Sequence, residues 1–122
     1  MRLVNLTRST LLADKVRVAA NFWSRLRGLM GRREMDPGEA LVLEGCRAIH
    51  TCFMRLNIDV AFLDEGGRVL KTLMNLPPCR FTMPVPGACR VVELPAGVLL
   101  ATGTVTGDRL VFLDVFSAAS GE

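Results

Sequence analysis

Alternating apolar and polar positions recur along the chain and predict a series of short β-strands. The clearest are IDVAFLD at 58–64 and RVLKTLMNL at 68–76, which flank the turn sequence DEGGR. Because glycine tolerates the positive φ of tight turns, DEGGR predicts a hairpin. The same alternation predicts further strands, the last of them preceded by a turn, within 2–7, 10–19, 40–45, 48–54, 88–95 and 106–116.

One early segment has helical spacing instead. Within 21–31 an apolar stripe recurs at helical intervals, formed by Phe22, Leu26, Leu29 and Met30. Asn21 is suited to cap the start of this helix, and Gly31 is suited to end it. A short N-terminal helix near residues 21–31 is therefore predicted.

The remaining segments predict irregular structure. Four of the six prolines fall in 77–87, which predicts a loop without long pairing. Residues 96–103 fit a helical turn or a loop, and we expect a frayed tail at 117–122.

Short strands with one early helix predict a mainly β fold. A β-sandwich and a closed barrel are both ways for such strands to protect their edges. The 122 residues suit one domain and can bury about 65% of the surface that the unfolded chain exposes. We therefore expect a single domain over 1–122, either a sandwich or a closed barrel.

Composition limits the protein class, the cellular location and the catalytic schemes that are expected. Half of the residues are hydrophobic and 22% are charged, as in folded globular proteins. No apolar run reaches the roughly 20 residues that span a bilayer, and the N-terminal region lacks a continuous apolar signal segment. We expect a cytoplasmic protein without a membrane partner. A single histidine excludes catalytic schemes that need two.

The four cysteines show no CxxC spacing and are predicted to be free thiols. Cys46, His50 and Cys52 are chemically able to bind a metal, but structural zinc sites usually use closer cysteine pairs on turns. We expect no metal and no cofactor.

Charge is uneven along the sequence. Residues 1–35 hold eight basic and two acidic residues, a net charge of +6, and the remainder holds seven basic and ten acidic residues, a net charge of −3. Weak polyanion binding by residues 1–35 is one hypothesis. No nucleic-acid motif or aromatic platform accompanies the charge, so a solvated face is preferred and a nucleic-acid partner is not expected.

Polar residues inside apolar strands are the candidate functional residues. Asp59 lies in a run that is apolar on both sides, and a buried carboxylate is costly unless it is paired. Its partners are expected to be backbone N–H groups near Asn57 or an arginine such as Arg55. The alternative is a pocket carboxylate with a shifted pKa. Asp108, after Gly107, is interpreted as a turn residue that caps its own loop.

Two functional hypotheses use these residues. The first is a domain that binds a small ligand or a protein segment through His50, Arg55, Asp59 and parts of the 77–87 loop. The second is a hydrolase-like or carbohydrate-modifying enzyme in which Asp59, Glu93 and His50 exchange protons. The enzyme requires these side chains to converge in one cleft, and we favour the binding domain.

Four blocks of sequence carry a family resemblance: RGLMGR at 27–32, IHTCFMRLNIDVAFLDEGGRVL at 49–70, VVELPAG at 91–97 and GDRL at 107–110. In this order the chain resembles the uncharacterised family called domain of unknown function 192, over about 22–114. The resemblance implies a small β-sandwich with no established activity, and we expect a bacterial source. Cys52 stands where the family usually has a large apolar residue, so it is expected to be a core substitution and not a nucleophile.

Overall fold

The structure, a computed structural model, describes residues 1–21, 24, 28–52 and 54–114. These residues form a mainly β fold, as predicted, with eight strands and one short helix, α1, at Val98–Thr102. The strands are β1 (Arg2–Asn5), β2 (Thr10–Ala13), β3 (Lys15–Ala19), β4 (Glu39–Glu44), β5 (Ile58–Leu63), β6 (Val69–Leu76), β7 (Arg90–Pro95) and β8 (Leu110–Leu113).

The strands form two sheets. The smaller sheet has the order β2-β1-β8, and the larger has the order β3-β4-β7-β5-β6. All neighbours are antiparallel except β3 and β4, which run parallel. Neither sheet closes on itself within the described residues, so the closed-barrel alternative is wrong.

The opening strands pair as predicted and then separate between the sheets. β1 and β2 form an antiparallel hairpin. At Asp14 the chain leaves this hairpin, because the N–H groups of Asp14 and Lys15 both donate to the carbonyl of Gly38, at 2.9 Å each. β3 therefore joins the larger sheet beside β4, and the predicted strand over 10–19 is two strands.

The central strands of the larger sheet, β4, β7 and β5, are buried on both faces, which explains their continuous apolar runs. All six residues of β5 are buried. One face packs against the smaller sheet and α1, through residues such as Leu63, Leu94, Leu3, Leu99 and Leu110. The opposite face packs against loops, through residues such as Ile58, Val60, Phe62, Leu29 and Val85.

The loop cover includes segment 48–54, for which the predicted strand is wrong. Among its described residues, 48–52 and 54, the one element of β structure is an isolated bridge between His50 and Phe81. Buried Thr51 instead fastens the segment to the proline-rich loop: its hydroxyl donates to the carbonyl of Pro77 and accepts the N–H of Arg80, both at 2.8 Å. Its own N–H donates to the carbonyl of Arg80. Side-chain bonding to a loop thus replaces strand pairing.

The DEGGR hairpin turn is confirmed and also joins the two sheets. Asp64 Oδ1 accepts the N–H groups of Gly66 and Arg68, both at 2.9 Å. Gly67 has φ +86°, and a Cβ there would lie 2.3 Å from the carbonyl oxygen of Leu110 in β8. Glycine is therefore required at this position by both conformation and close approach.

The predicted N-terminal helix near residues 21–31 depends largely on 22–23 and 25–27, which lie outside the described residues. Residue 53 and the predicted frayed tail at 117–122 also lie outside them. At its start, Asn21 Oδ1 accepts the N–H of Ser24 at 2.9 Å, the bond expected of a cap. At its end, Gly31 has φ +77°. Residues 96–103 contain α1, which agrees with the predicted helical turn.

Candidate binding cleft

A cleft of about 260 Å³ lies between the larger sheet and its loop cover. Its described lining is mainly apolar or sulfur-bearing: Gly28, Leu29, Met30, Leu43, Cys46, Ala48, Ile49, His50, Cys52, Met54 and Glu93. Three stretches far apart in sequence meet here, namely 28–30, 46–54 and β7. The cleft exists only because the loops fold over the sheet.

Glu93 supplies the buried carboxyl of the cleft. In β7 it lies opposite Leu41 of β4 and Val60 of β5, so it shares the loop-covered face with them. The residue is 1% exposed, and its Oε1 is buried without a hydrogen-bond partner among the residues that the structure describes. Burial raises the pKa of Glu93 to about 8, because the ionised form loses its hydration. At neutral pH the side chain is mostly the uncharged acid.

His50 is the second polar side chain of the cleft. Its Nδ1 accepts the N–H of Cys52 at 3.2 Å. The ring of Phe81 lies 6.0 Å from the imidazole, centroid to centroid, tilted by 43°. Phe81 is 77% exposed and extends the apolar surface from His50 toward solvent.

Sulfur atoms form much of the remaining wall. Met30, Cys46, Cys52 and Met54 all line the cleft, and such side chains are polarisable and adapt to irregular shapes. Cys52 is half-buried in the wall, whereas a core position was expected. Within the described part of the chain, no group of three or more His, Cys, Asp or Glu residues could hold a metal ion.

Asp59 lies on the other face of the larger sheet and has a structural role. Its Oδ2 accepts the N–H groups of Gly97 and Leu99 at the start of α1, both at 3.0 Å, and its Oδ1 accepts the N–H of Asn75 at 2.9 Å. The expectation of backbone N–H partners was right in kind, although the donors are not near Asn57. Asp59 and Arg55, both of which the structure describes, form no ion pair with each other.

A bulge explains why Asn75 has an N–H to offer. Between the pairs Ile58–Leu76 and Val60–Leu73, β6 has one residue more than β5. Asn75 adopts a left-handed φ of 54° there. Its N–H is directed to the Asp59 carboxylate instead of the strand ladder.

The register of β5 and β7 separates the two predicted acid/base residues. Asp59 lies opposite Leu94, and Glu93 lies opposite Val60, so the carboxyl groups lie on opposite faces of one sheet. Glu93 and His50 do line the same cleft. The convergence of Asp59, Glu93 and His50 that the enzyme hypothesis requires is therefore wrong.

The predicted ligand-binding set of His50, Arg55 and Asp59 is also divided. Arg55 is exposed and is not among the residues that line the cleft, and its N–H donates to the carbonyl of Arg32 at 3.1 Å. Of the three, His50 alone lines the cleft. The 77–87 loop holds segment 47–52 in place through Thr51.

Asp108 belongs to a second buried polar group away from the cleft. Its Oδ2 accepts the N–H of Val105 at 3.1 Å, so the predicted loop cap is present. The same oxygen accepts hydrogen bonds from Asn5 Nδ2 and Arg8 Nε, both at 3.0 Å. Chiefly because of Arg8, the pKa of Asp108 is lowered to about 2. These bonds fasten β1 to the turn before β8.

A comparison with known protein families matches a region that contains the four sequence blocks described above. The profile of the DUF192 family, described as "Uncharacterized ACR, COG1430", matches residues 4–112. The chain belongs to the DUF192 family. The match extends beyond the 22–114 region of resemblance at its N-terminal side and so includes the β1–β2 hairpin.

Relatives and solved structures agree with this membership. A UPF0127 protein of Pyrococcus furiosus is 37% identical over 114 residues, covering 88% of this chain and 95% of the relative. A UPF0127 protein of Thermococcus sibiricus is 32% identical, covering 88% and 72%. Both sources are archaea, so the expected bacterial source is not supported.

A crystal structure of a protein of unknown function from Novosphingobium aromaticivorans matches with a TM-score of 0.80 and 17% identity, covering 92% of this chain and 84% of that one, which supports the fold alone. No helix in the described residues is long and apolar enough to cross a membrane.

Proposed function

We propose that this DUF192 protein is a binding domain whose cleft takes a small, mainly apolar ligand or one apolar side chain of a protein segment. The observation that carries the proposal is Glu93, a buried carboxyl in an apolar cleft with one oxygen that has no partner in the described part of the chain. Buried polar atoms are nearly always hydrogen-bonded, so an unpaired one in a cleft marks a position for a ligand atom.

Cleft size limits the ligand. A volume of about 260 Å³ is slightly below the roughly 300–1,000 Å³ of sites for drug-sized molecules. A short-chain molecule or a single side chain fits this volume better than an extended peptide does. The apolar and sulfur-bearing wall favours an aliphatic body, and the carboxyl favours one polar group on it.

A single-domain sandwich is the architecture that we propose around this cleft. Its support is the apolar cluster that both sheets share, with Leu3 and Leu110 of the smaller sheet against Val92 and Leu94 of the larger one. Such a scaffold leaves the opposite face of the larger sheet free to be covered by loops. A rigid sheet below and loops above are a common arrangement for a binding site.

Two variants with the same substitution test the proposal. Ala48 lies in the cleft wall, and Ala48→Phe adds a ring where the ligand would lie. Ala101→Phe adds the same ring at an exposed position of α1 and is the matched control. A library of small aliphatic and aromatic fragments is then screened by ¹H–¹⁵N NMR. We expect fragments that shift amides in 46–54 and β7 with the wild type and Ala101→Phe, and lose these shifts with Ala48→Phe.

The screen overturns the proposal if no fragment shifts these amides in the wild type. It also overturns the proposal if Ala48→Phe and the wild type respond alike.

Other sequence-based expectations remain predictions. The enzyme hypothesis can no longer use Asp59 as an acid or base, because Asp59 lies on the opposite face of the sheet from Glu93. No observation favours a reaction for Glu93 and His50. Polyanion binding by residues 1–35 has less support, because Arg8 and Arg32 form ion pairs with Asp108 and Glu39. A cytoplasmic location is part of our proposal and rests on the sequence.

A further inference from the structure

We infer that the ligand of the cleft carries an alkylammonium group, which donates to Glu93 while its aliphatic stem lies against the apolar wall. This inference rests on the proposed function and names the ligand class. The alkylammonium group could belong to a free aliphatic amine or to a lysine side chain of a protein partner. Both present the same chemistry to the cleft.

The first argument is the number of acceptors to be satisfied. Within the described part of the chain no hydrogen bond reaches Glu93 Oε1, which is fully enclosed. A ligand carbonyl could accept one hydrogen bond from the protonated acid and would leave the second oxygen unpaired. An ammonium group has three donors and can serve both oxygens of the ionised carboxylate.

The second argument is charge. Among the described residues that line the cleft, Glu93 is the one carboxyl, and no lysine or arginine is present. The other titratable groups facing the cleft are His50, whose Nδ1 accepts the N–H of Cys52, and the thiols of Cys46 and Cys52. Among these described residues an anionic ligand would find no lysine or arginine to pair with, whereas a cation would find a partner in Glu93.

The third argument is that the free energy needed to ionise Glu93 is smaller than the free energy gained when the carboxylate pairs with a cation. With a pKa of about 8, the acid outnumbers the carboxylate by about tenfold at pH 7. A desolvated, hydrogen-bonded ion pair favours the ionised form by more than tenfold in many proteins. Binding of an ammonium ion should therefore release the Glu93 proton to solvent, while the amine keeps its own.

The proton balance gives a test whose sign separates ligand classes. At pH 7 we expect about 0.9 proton released per n-pentylammonium bound. Affinity should rise about ninefold between pH 6 and pH 7 and level off above pH 8, because only ionised Glu93 pairs with the cation. A ligand that accepts a hydrogen bond from the protonated acid would show the opposite trend, with affinity falling above pH 8.

The experiment is isothermal titration calorimetry of the full chain with n-pentylamine, 1-pentanol and pentanoate, in two buffers of different ionisation enthalpy, at pH 6, 7, 8 and 9. Glu93→Gln should weaken n-pentylamine at least tenfold, abolish proton release and keep 1-pentanol binding, which also checks that the variant is folded. Glu65→Gln removes an exposed carboxylate on the hairpin turn and is the charge-matched control.

The outcomes distinguish the two proposals. Tighter binding of 1-pentanol or pentanoate than of n-pentylamine, or affinity that falls with pH, overturns the ligand class and leaves the binding cleft intact. Failure of all three probes to bind overturns both.

A capped peptide with one lysine, compared with its Nε-acetylated form, identifies the source of the group. If the unmodified peptide binds more tightly than n-pentylamine and acetylation abolishes its binding, the partner is a protein. If only the free amine binds, the ligand is a small molecule.

Discussion

Asp59 connects β5, β6 and α1, and replacing it with alanine should destabilise the fold by about 4 kcal/mol. The substitution removes the acceptor of three backbone N–H groups, those of Asn75, Gly97 and Leu99. Leu99 is fully buried, so its N–H would have no access to water, and an orphaned buried donor costs about 1–3 kcal/mol. Asn75 and Gly97 are exposed and can rebind water, which limits each loss to about 1 kcal/mol.

Asp59→Asn should destabilise the fold less than Asp59→Ala does. The amide keeps one carbonyl oxygen, which can continue to accept from Gly97 and Leu99, while its NH₂ group faces the N–H of Asn75. We expect a loss of about 2 kcal/mol, roughly half that of the alanine variant.

Urea unfolding followed by circular dichroism measures these free energies. Hydrogen exchange of the Leu99 amide reports the bond itself and should accelerate in Asp59→Ala. Glu65→Ala, which removes an exposed carboxylate from the hairpin turn, should stay within about 0.5 kcal/mol of the wild type. The reasoning is refuted if Asp59→Ala loses less than about 1 kcal/mol while the Leu99 amide stays protected.

Two further predictions concern pH. Burial raises the pKa of Glu93 from 4.5 to about 8, so between these pH values the native state holds a proton that the unfolded state has released. The free energy of unfolding should therefore fall by about 1.4 kcal/mol for each unit that the pH rises from 4.5 to 8. Thermal and urea unfolding from pH 5 to pH 8 should show this slope in the wild type and not in Glu93→Gln; equal slopes would contradict it. Because Arg8 lowers the pKa of Asp108 to about 2, Asp108 stabilises the fold above its ordinary pKa of about 3.9, and this contribution is lost as the pH falls toward 2. NMR titration should show the pKa of Asp108 rising in Arg8→Gln, with a smaller loss of stability on acidification; an unchanged pKa would count against the ion pair.

The strand pattern could be predicted from sequence because it depends on local alternation. β5, β6 and their Gly-Gly turn follow from residues close in the chain. Segment 48–54 has the same apolar character but does not form a strand. Its structure depends on Thr51 bonding to a loop about 30 residues away, which no local pattern contains.

The site was less predictable because it depends on the faces of neighbouring strands. Asp59 and Glu93 both looked like buried carboxylates in apolar runs, and the sequence cannot say which of them meets backbone donors. One residue of register between β5 and β7 would exchange their faces. Ala48 reaches the cleft from a loop and carried no signal in the sequence, while Met30 and Cys46 were noted only for a helical stripe and for metal binding.

The adjacency of β1 and β8 also affects how the protein is made. Arg2 pairs with Leu113, so the smaller sheet cannot be completed until nearly all of the described chain has left the ribosome. At roughly 5–20 residues per second, β1 waits roughly 5–20 s for its second neighbour. During synthesis β1 can pair only with β2, and its other edge stays open to other nascent chains. Slower translation lengthens the time for which this edge is open, so it should lower the yield of folded protein.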